Sequence, residues 1–512
     1  MKLKKIFASL LSLGLILSPL SVCAQENTAV AQSEDGTQTY ANFDLAWSAA
    51  ENGEKIVLLQ DWDLTDRIYV AENLSISIEL NGHTINRQLG GNVQNDGEVF
   101  YLSENATLTL TGNNQKDTQF KFKGYDGSND LIDITYNTGG LVTGGASSNG
   151  AGGIHMKKSS KLYLENVAVA GNCGASIFTH DGGAINMNED DCEVHMTNSS
   201  LCFNDAAYGG GICVSGENEI IEMNASSICN NYSTVNGGGI FSDEDATYVV
   251  LNNGSSIKNN RALEYGGGIY FENPYCQVRS SDTASEISGN HAKCGGGIHF
   301  SSSSRGDTHI IENVTFDSNL ADSSGGAIYN KLDDLTIKNC TFTKNRAEKS
   351  NGGAIYVAGK GLKIDSCTVQ KNTSKSDGAG MYVSVHCSIS MSGMMYVENN
   401  TRLDNTKDDV YLSGETTISG TPDSGSRVGI NSLHDGKVCI NQTVDNGVFF
   451  VDDSDSYYLG YNDGKLYMIS GSLLGSIFGN ANLGIAVVVM AGIAVVGIVI
   501  LIISKRKNHV EA

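Results

Sequence analysis

Proline is almost missing, with three residues in 512. Glycine is plentiful at 60 but follows no triplet period, so a collagen-like chain, which needs both, is excluded. Basic residues are also scarce: 34 Lys and Arg stand against 57 Asp and Glu, for a formal net charge of −23. A chain this acidic has no broad basic surface with which to neutralise phosphates, which argues against nucleic acid as a partner. Hydrophobic residues make up 40%, too many for a disordered chain and too few for a polytopic membrane protein. Residues 56–450 contain no stretch of sustained helical periodicity. The 12 cysteines show no CxxC spacing, so neither a zinc site nor an iron–sulfur cluster is expected.

The two ends carry addressing signals. Met1 to Lys5 is basic, Ile6 to Leu20 is mostly apolar, and Ala24 is a small residue at the cut, so residues 1–24 read as a secretory signal peptide. Val22 is a poor residue before Cys23 for lipidation. Leu483 to Ile503 is apolar without interruption. As a helix it would span about 31 Å, the thickness of a bilayer core. Ser504-Lys-Arg-Lys507 follows at once, which holds that end in the cytoplasm. The expected order is a linker at 471–482, one transmembrane helix at 483–503 and a cytoplasmic tail at 504–512. That arrangement makes a single-pass protein of the cell membrane with an extracellular ectodomain.

What fills the middle is a repeat. A Gly-Gly pair followed by an aliphatic residue recurs about every 28 residues, with the aliphatic at Ile154, Ile185, Ile212, Ile240, Ile269, Ile298, Ile328 and Ile355, and a variant, Gly378-Ala-Gly380, leads to Met381. In phase with it runs an apolar residue three places before an Asn: Val169/Asn172, Leu201/Asn204, Ile228/Asn231, Ile257/Asn260, Ile287/Asn290, Phe316/Asn319, Phe342/Asn345 and Val369/Asn372. Short alternating stretches such as Leu335-Thr-Ile337 lie between the two motifs and read as strands with one buried face. Strands at a period too long for hairpins predict an all-β, single-stranded, right-handed parallel β-helix, a pectate-lyase-like solenoid, over residues 56–470. Coil spacing predicts roughly 14 coils and a rod of about 65 Å. Glycine pairs fit turns with positive φ, and the recurring Asn fits a stacked ladder. Residues 25–55 are expected to cap the first coil with a short helix, begun by Asn42, stopped by Gly53 and covering the coil with Leu45 and Trp47.

Phe316-Asp-Ser-Asn319-Leu-Ala321 followed by Gly325-Gly-Ala-Ile328, and Phe342-Thr-Lys-Asn345-Arg-Ala347 followed by Gly352-Gly-Ala-Ile355, resemble the repeats of the polymorphic outer-membrane proteins of chlamydial type and of adhesin-like β-helix proteins. The resemblance covers about residues 150–400. Leu74 to Ile85 is similar to an opening coil of pectate-lyase-like β-helices. The resemblance implies a surface-displayed passenger used in adhesion, with an extracellular glycan or a surface protein of a host or neighbouring cell as partner. The chlamydial proteins end in an outer-membrane β-barrel. The hydrophobic segment and basic tail of this chain point instead to a bacterial envelope with one membrane, and no LPxTG sorting signal precedes them.

Three sets of residues are candidates for chemistry. If the Ile after each Gly pair points inward, the next residue points outward. The outward set over six consecutive repeats is Phe241, Tyr270, His299, Tyr329, Tyr356 and Tyr382. These rings, about 4.8 Å apart, are expected either to stabilise the sheet or to form a platform for sugar rings or a partner's apolar patch. Cys202 shares its repeat position with Cys229, and Cys340 with Cys367. Each pair is expected as a disulfide or as a reduced stack. Asp190-Asp191 and His180-Asp181 are the acidic groupings nearest to a catalytic pair. The NTD, GHG and RxK arrangement of polygalacturonase-like enzymes and the DPHD-like motif of alginate epimerases are missing, so no catalytic residue, metal or cofactor is assigned. Asp452-Asp453-Ser-Asp455 lacks the Gly and Glu spacing of a calcium loop. A polysaccharide-active β-helix enzyme, lyase or glycoside hydrolase, is the alternative reading.

Overall fold

The computed structural model describes residues 29–504 except 115–117, 126–130, 176–180, 245, 273–274, 283–284, 302–308, 415, 432–437, 441–447, 452–456, 463–464, 471–484 and 492–497. One coil shows the plan. Strand Ile298–Phe300 is followed by His309–Glu312, Thr315–Asp317 and Leu320–Ala321, and then Gly325-Gly326-Ala327 returns the chain to Ile328–Asn330. Each strand pairs in parallel with its equivalent one coil on. Ile298 lies against Ile328, then Ile355, Met381 and Val410, and Phe316 lies against Phe342, Val369 and Val397. The product is an all-β parallel β-solenoid of about 12 turns with four rows of strands. The first and third rows merge at the C-terminal end, where Arg427–Asn431 pairs with both Tyr396–Glu398 and Val410–Leu412.

The interior is one apolar cluster running from Ala31 to Phe449. Ile212, Ile240, Ile269, Ile298, Ile328 and Ile355 form a fully buried column. Phe316 and Phe342 stack in the third row with centroids 4.8 Å apart. Burying each such side chain contributes roughly 1.5–3 kcal/mol against an unfolded chain. The corners explain the glycines. Gly325 turns the chain at φ +69°, a region that L side chains avoid. At Gly326 φ is ordinary, but an added Cβ would collide with the Gly353 carbonyl of the next coil.

The Asn positions form the ladder that their spacing predicts. Asn319 donates from its backbone N–H and from Nδ2 to Asn345 Oδ1, each at 3.0 Å, and Nδ2 also donates to the Ile287 carbonyl at 2.8 Å. The same bonds link Asn172, Asn204, Asn231, Asn260, Asn290, Asn319, Asn345, Asn372 and Asn400, all with no exposure. An amide left unpaired at that depth would cost about 1–3 kcal/mol, so the ladder is what allows a polar side chain to sit inside every corner.

The cap helix, Phe43–Ala49, starts at Asn42, whose Oδ1 accepts the Leu45 N–H at 2.9 Å. Its covering residues differ from the expected ones. Leu45 is 55% exposed, whereas Ala46 is buried and Phe43 stacks on Trp62 at 4.7 Å; Trp47 does pack on the core, in part. The helix ends at Ala50, and Gly53 sits in the turn beyond. The solenoid has about 12 turns where roughly 14 are expected, and an insertion accounts for part of the difference. Gln119–Tyr125 and Leu131–Asn137 pair with each other as an antiparallel hairpin and take up chain that would otherwise form coil. The apolar stretch expected as a transmembrane helix is also different: Ile485–Ala491 and Ile498–Ser504 are antiparallel strands. Their runs of Val and Ile are stiff at χ1 and suit an extended backbone. No helix among the described residues is long and apolar enough to cross a membrane. The signal peptide at 1–24, the linker at 471–482 and tail residues 505–512 lie outside the described residues.

Candidate functional site

The residue after the inward Ile of each first-row strand faces out, and parallel register puts these residues in a column. It runs Tyr69, Tyr101, His155, Asn186, Cys213, Phe241, Tyr270, His299, Tyr329, Tyr356, Tyr382, Tyr411. All six rings singled out from the sequence are in it, in the expected order. Tyr69, Tyr101 and Tyr411 extend it past the Gly-Gly-Ile motif. Their signal was the same apolar-Tyr-apolar triplet in Ile68-Tyr-Val70, Phe100-Tyr-Leu102 and Val410-Tyr-Leu412.

The rings lie face to face. Phe241 and Tyr270 are 5.4 Å apart and 3° from parallel, His299 and Tyr329 4.8 Å and 1°, Tyr329 and Tyr356 4.8 Å and 6°, and Tyr356 and Tyr382 5.0 Å and 13°. Each such contact is worth about 0.5–1.5 kcal/mol beyond the area it buries. Stacking has a second effect: the ring faces are turned to one another, so the accessible part of each ring is its edge.

Accessibility splits the column. Phe241, Tyr270 and His299 are 0%, 4% and 2% exposed. Tyr208 and Tyr265 from the preceding turns pack over them, at 4.8 Å from Phe241 and 4.7 Å from His299. Burial pushes the His299 imidazole down to about 3, so it is a neutral ring in the stack at ordinary pH. Tyr329, Tyr356 and Tyr382 are half-buried. Burial pushes the Tyr329 phenol up to about 12.

The cysteine pairs are adjacent and in register but unbridged. In-register neighbours on parallel strands point the same way, so their Cβ atoms stay near the strand spacing of about 4.8 Å, beyond the ~3.8 Å mean of a disulfide. Cys202 and Cys229 lie beneath Phe120 and Phe122 of the inserted hairpin. A hydrogen bond from Cys202 draws the Cys229 thiol down to about 7. Cys340 and Cys367 have a structural role. Cys367 Sγ accepts the Cys340 N–H at 3.4 Å, as Ser226 Oγ accepts the Ser199 N–H at 3.1 Å several coils earlier. A thiol stands where other coils use a hydroxyl.

The acidic groupings tie loops together. Asp190 pairs with Lys158 at 3.5 Å and accepts the Glu217 N–H, and Asp191 accepts from Asn218 Nδ2. His180 and residues 452–455 lie outside the described residues. Among the described residues, no group of three His, Cys, Asp or Glu side chains converges as a metal site would require.

Every motif of the sequence repeat now has a place: the Phe in the core, the Asn in the ladder, the glycines at the corner, the ring on the outside. Residues 313–331 and 339–358 match the Chlamydia polymorphic membrane protein repeat. The two matched segments lie in successive coils. Each begins at a positive-φ Asn, Asn313 or Asn339, passes through Phe316 or Phe342 and Asn319 or Asn345, and closes with the strand carrying Tyr329 or Tyr356. Each matched segment therefore covers three of the four strands of a coil, with the second-row strand Leu335–Lys338 lying between them, and includes the outward ring. No curated protein and no solved structure matches the chain.

Proposed function

We propose that this chain is a non-catalytic, adhesin-like protein of the bacterial cell surface that binds an extracellular glycan, or a surface protein, through Tyr329, Tyr356 and Tyr382. The observation that carries this is the half-buried run of three rings in register, 4.8 and 5.0 Å apart, within and beside coils that match the repeat of a surface protein family. Because the rings face each other, the partner meets a rail of phenol edges. That favours a hydroxyl-rich chain lying along the rod over a single sugar stacked on a ring face. Replacing Tyr329, Tyr356 and Tyr382 together by Ser in the full-length protein is expected to abolish binding on a glycan array or to cells while the far-UV dichroism stays that of a β-solenoid. Binding at the original level by the folded triple variant would overturn the reading.

Surface display in this reading rests on the signal peptide at 1–24 and on Leu483 to Ile503 as a single-pass anchor. A two-stranded hairpin in lipid leaves its outer N–H and C=O groups unpaired, whereas a helix satisfies its own. In a bilayer the segment therefore spans as a helix. Carbonate extraction should leave the full-length protein in the membrane and release a chain truncated after Asn482. Release of both would remove the anchor from the proposal.

A further inference from the structure

The inserted hairpin does more than fill space. Its end at Tyr125 and Leu131 leans over the fourth row and leaves a cleft of about 450 Å³, within the usual ~300–1,000 Å³ of a small-molecule site. One wall is Tyr125 and Leu131, and Gly90, Gly91 and Gly174 bring backbone close on another side. The remaining wall carries Asp205, which sits in register with Cys173 one coil before.

Asp205 is an unusual residue for that position. It is 6% exposed, its Oδ2 accepts from Cys173 Sγ at 3.7 Å, and its Oδ1 has no hydrogen-bond partner. Burial outweighs the Cys173 contact and pushes the carboxyl up to about 7. Burial likewise lifts the Cys173 thiol to about 12, so the neighbour supplies a neutral donor and no charge. A buried carboxyl with a vacant oxygen costs free energy unless a donor reaches it, and a cationic donor also restores neutrality.

We propose that this cleft binds a small primary amine with a flat apolar body, its ammonium on Asp205 and its body against Tyr125 and Leu131. The site lies on the fourth row, away from the ring column, so it stands or falls independently of adhesion.

The probe is 2-phenylethylamine, with 2-phenylethanol as its uncharged counterpart, titrated into the full-length protein by calorimetry and by saturation-transfer NMR. The amine is expected to bind saturably, and the alcohol at least tenfold more weakly. Asp205→Asn is expected to weaken the amine at least tenfold. Ala175→Trp, at the exposed rim of the cleft, is expected to remove binding without touching the buried wall. Absence of saturable amine binding, equal binding of the alcohol, or unchanged binding in Asp205→Asn would overturn the proposal. Should Asp205→Asn fail to fold, unchanged binding in Ala175→Trp would overturn it equally.

Discussion

Asp409 takes two hydrogen bonds from Asn400 on a single oxygen: Oδ1 accepts the backbone N–H at 2.8 Å and Nδ2 at 2.7 Å. Every earlier member of the ladder hands its donors to another Asn. The last one hands them to a carboxylate, which accepts without bringing new donors to satisfy. Asp409→Ala should therefore strand two buried donors and cost about 3 kcal/mol, while Asp409→Asn keeps an acceptor and costs about 1 kcal/mol. Chemical denaturation gives the totals. Hydrogen exchange should show the loss concentrated at residues 400–412.

Mid-ladder, the opposite substitution is the costly one. Asn319→Asp removes the Nδ2 donor and sets an acceptor against the Ile287 carbonyl and Asn345 Oδ1. A loss of about 3 kcal/mol is expected, partly recovered at low pH where the new carboxyl is protonated. A deficit against the parent protein that does not shrink on acidification would contradict this account of the ladder.

His299 predicts a pH dependence. Its native pKa is about 3, below the ~6.5 of an unfolded His. Between those values the unfolded chain binds more protons, so stability falls as pH drops below about 6.5, by up to ~1.4 kcal/mol per pH unit. His299→Phe keeps a ring in the stack and removes the titration. The difference in unfolding free energy between the two proteins should be flat above pH 7 and slope below 6.5. A flat difference down to pH 5 would mean that the ring is hydrated.

Phe122 seats the hairpin on Ala168, Ala170, Cys202 and Cys229. Phe122→Ala should cost about 3 kcal/mol locally and uncover the thiols. Iodoacetamide labelling read by mass spectrometry is expected to be slow at Cys202 and Cys229 in the parent and faster in the variant, because the hairpin ring no longer covers them.

Much of this was legible from the sequence because a parallel solenoid repeats its environment. Ile298, Phe316, Asn319 and Gly325 each recur in the next coils with the same surroundings, so spacing alone assigned core, ladder and corner. Interactions between unlike parts were not legible. Gln-Phe-Lys-Phe-Lys at 119–123 alternates as a coil strand does, and period two does not say which strand it pairs with. The covering of Phe241 and His299 depends on Tyr208 and Tyr265, each just before the first Gly of its motif, a position that Asn236 and Cys294 fill in neighbouring coils. Shared repeat positions put the cysteines of each pair side by side, but position alone does not say whether the two thiols are bridged, and they stand free here.

The ladder also has a sense: its side-chain-to-side-chain bonds all point one way, from Asn172 toward the carboxylate of Asp409. Removing or duplicating a whole coil between those points leaves both terminations as they are. Length can then change by unequal exchange between coils without redesign of the ends, and the length of the solenoid becomes a quantity that selection can alter in steps of about 4.8 Å.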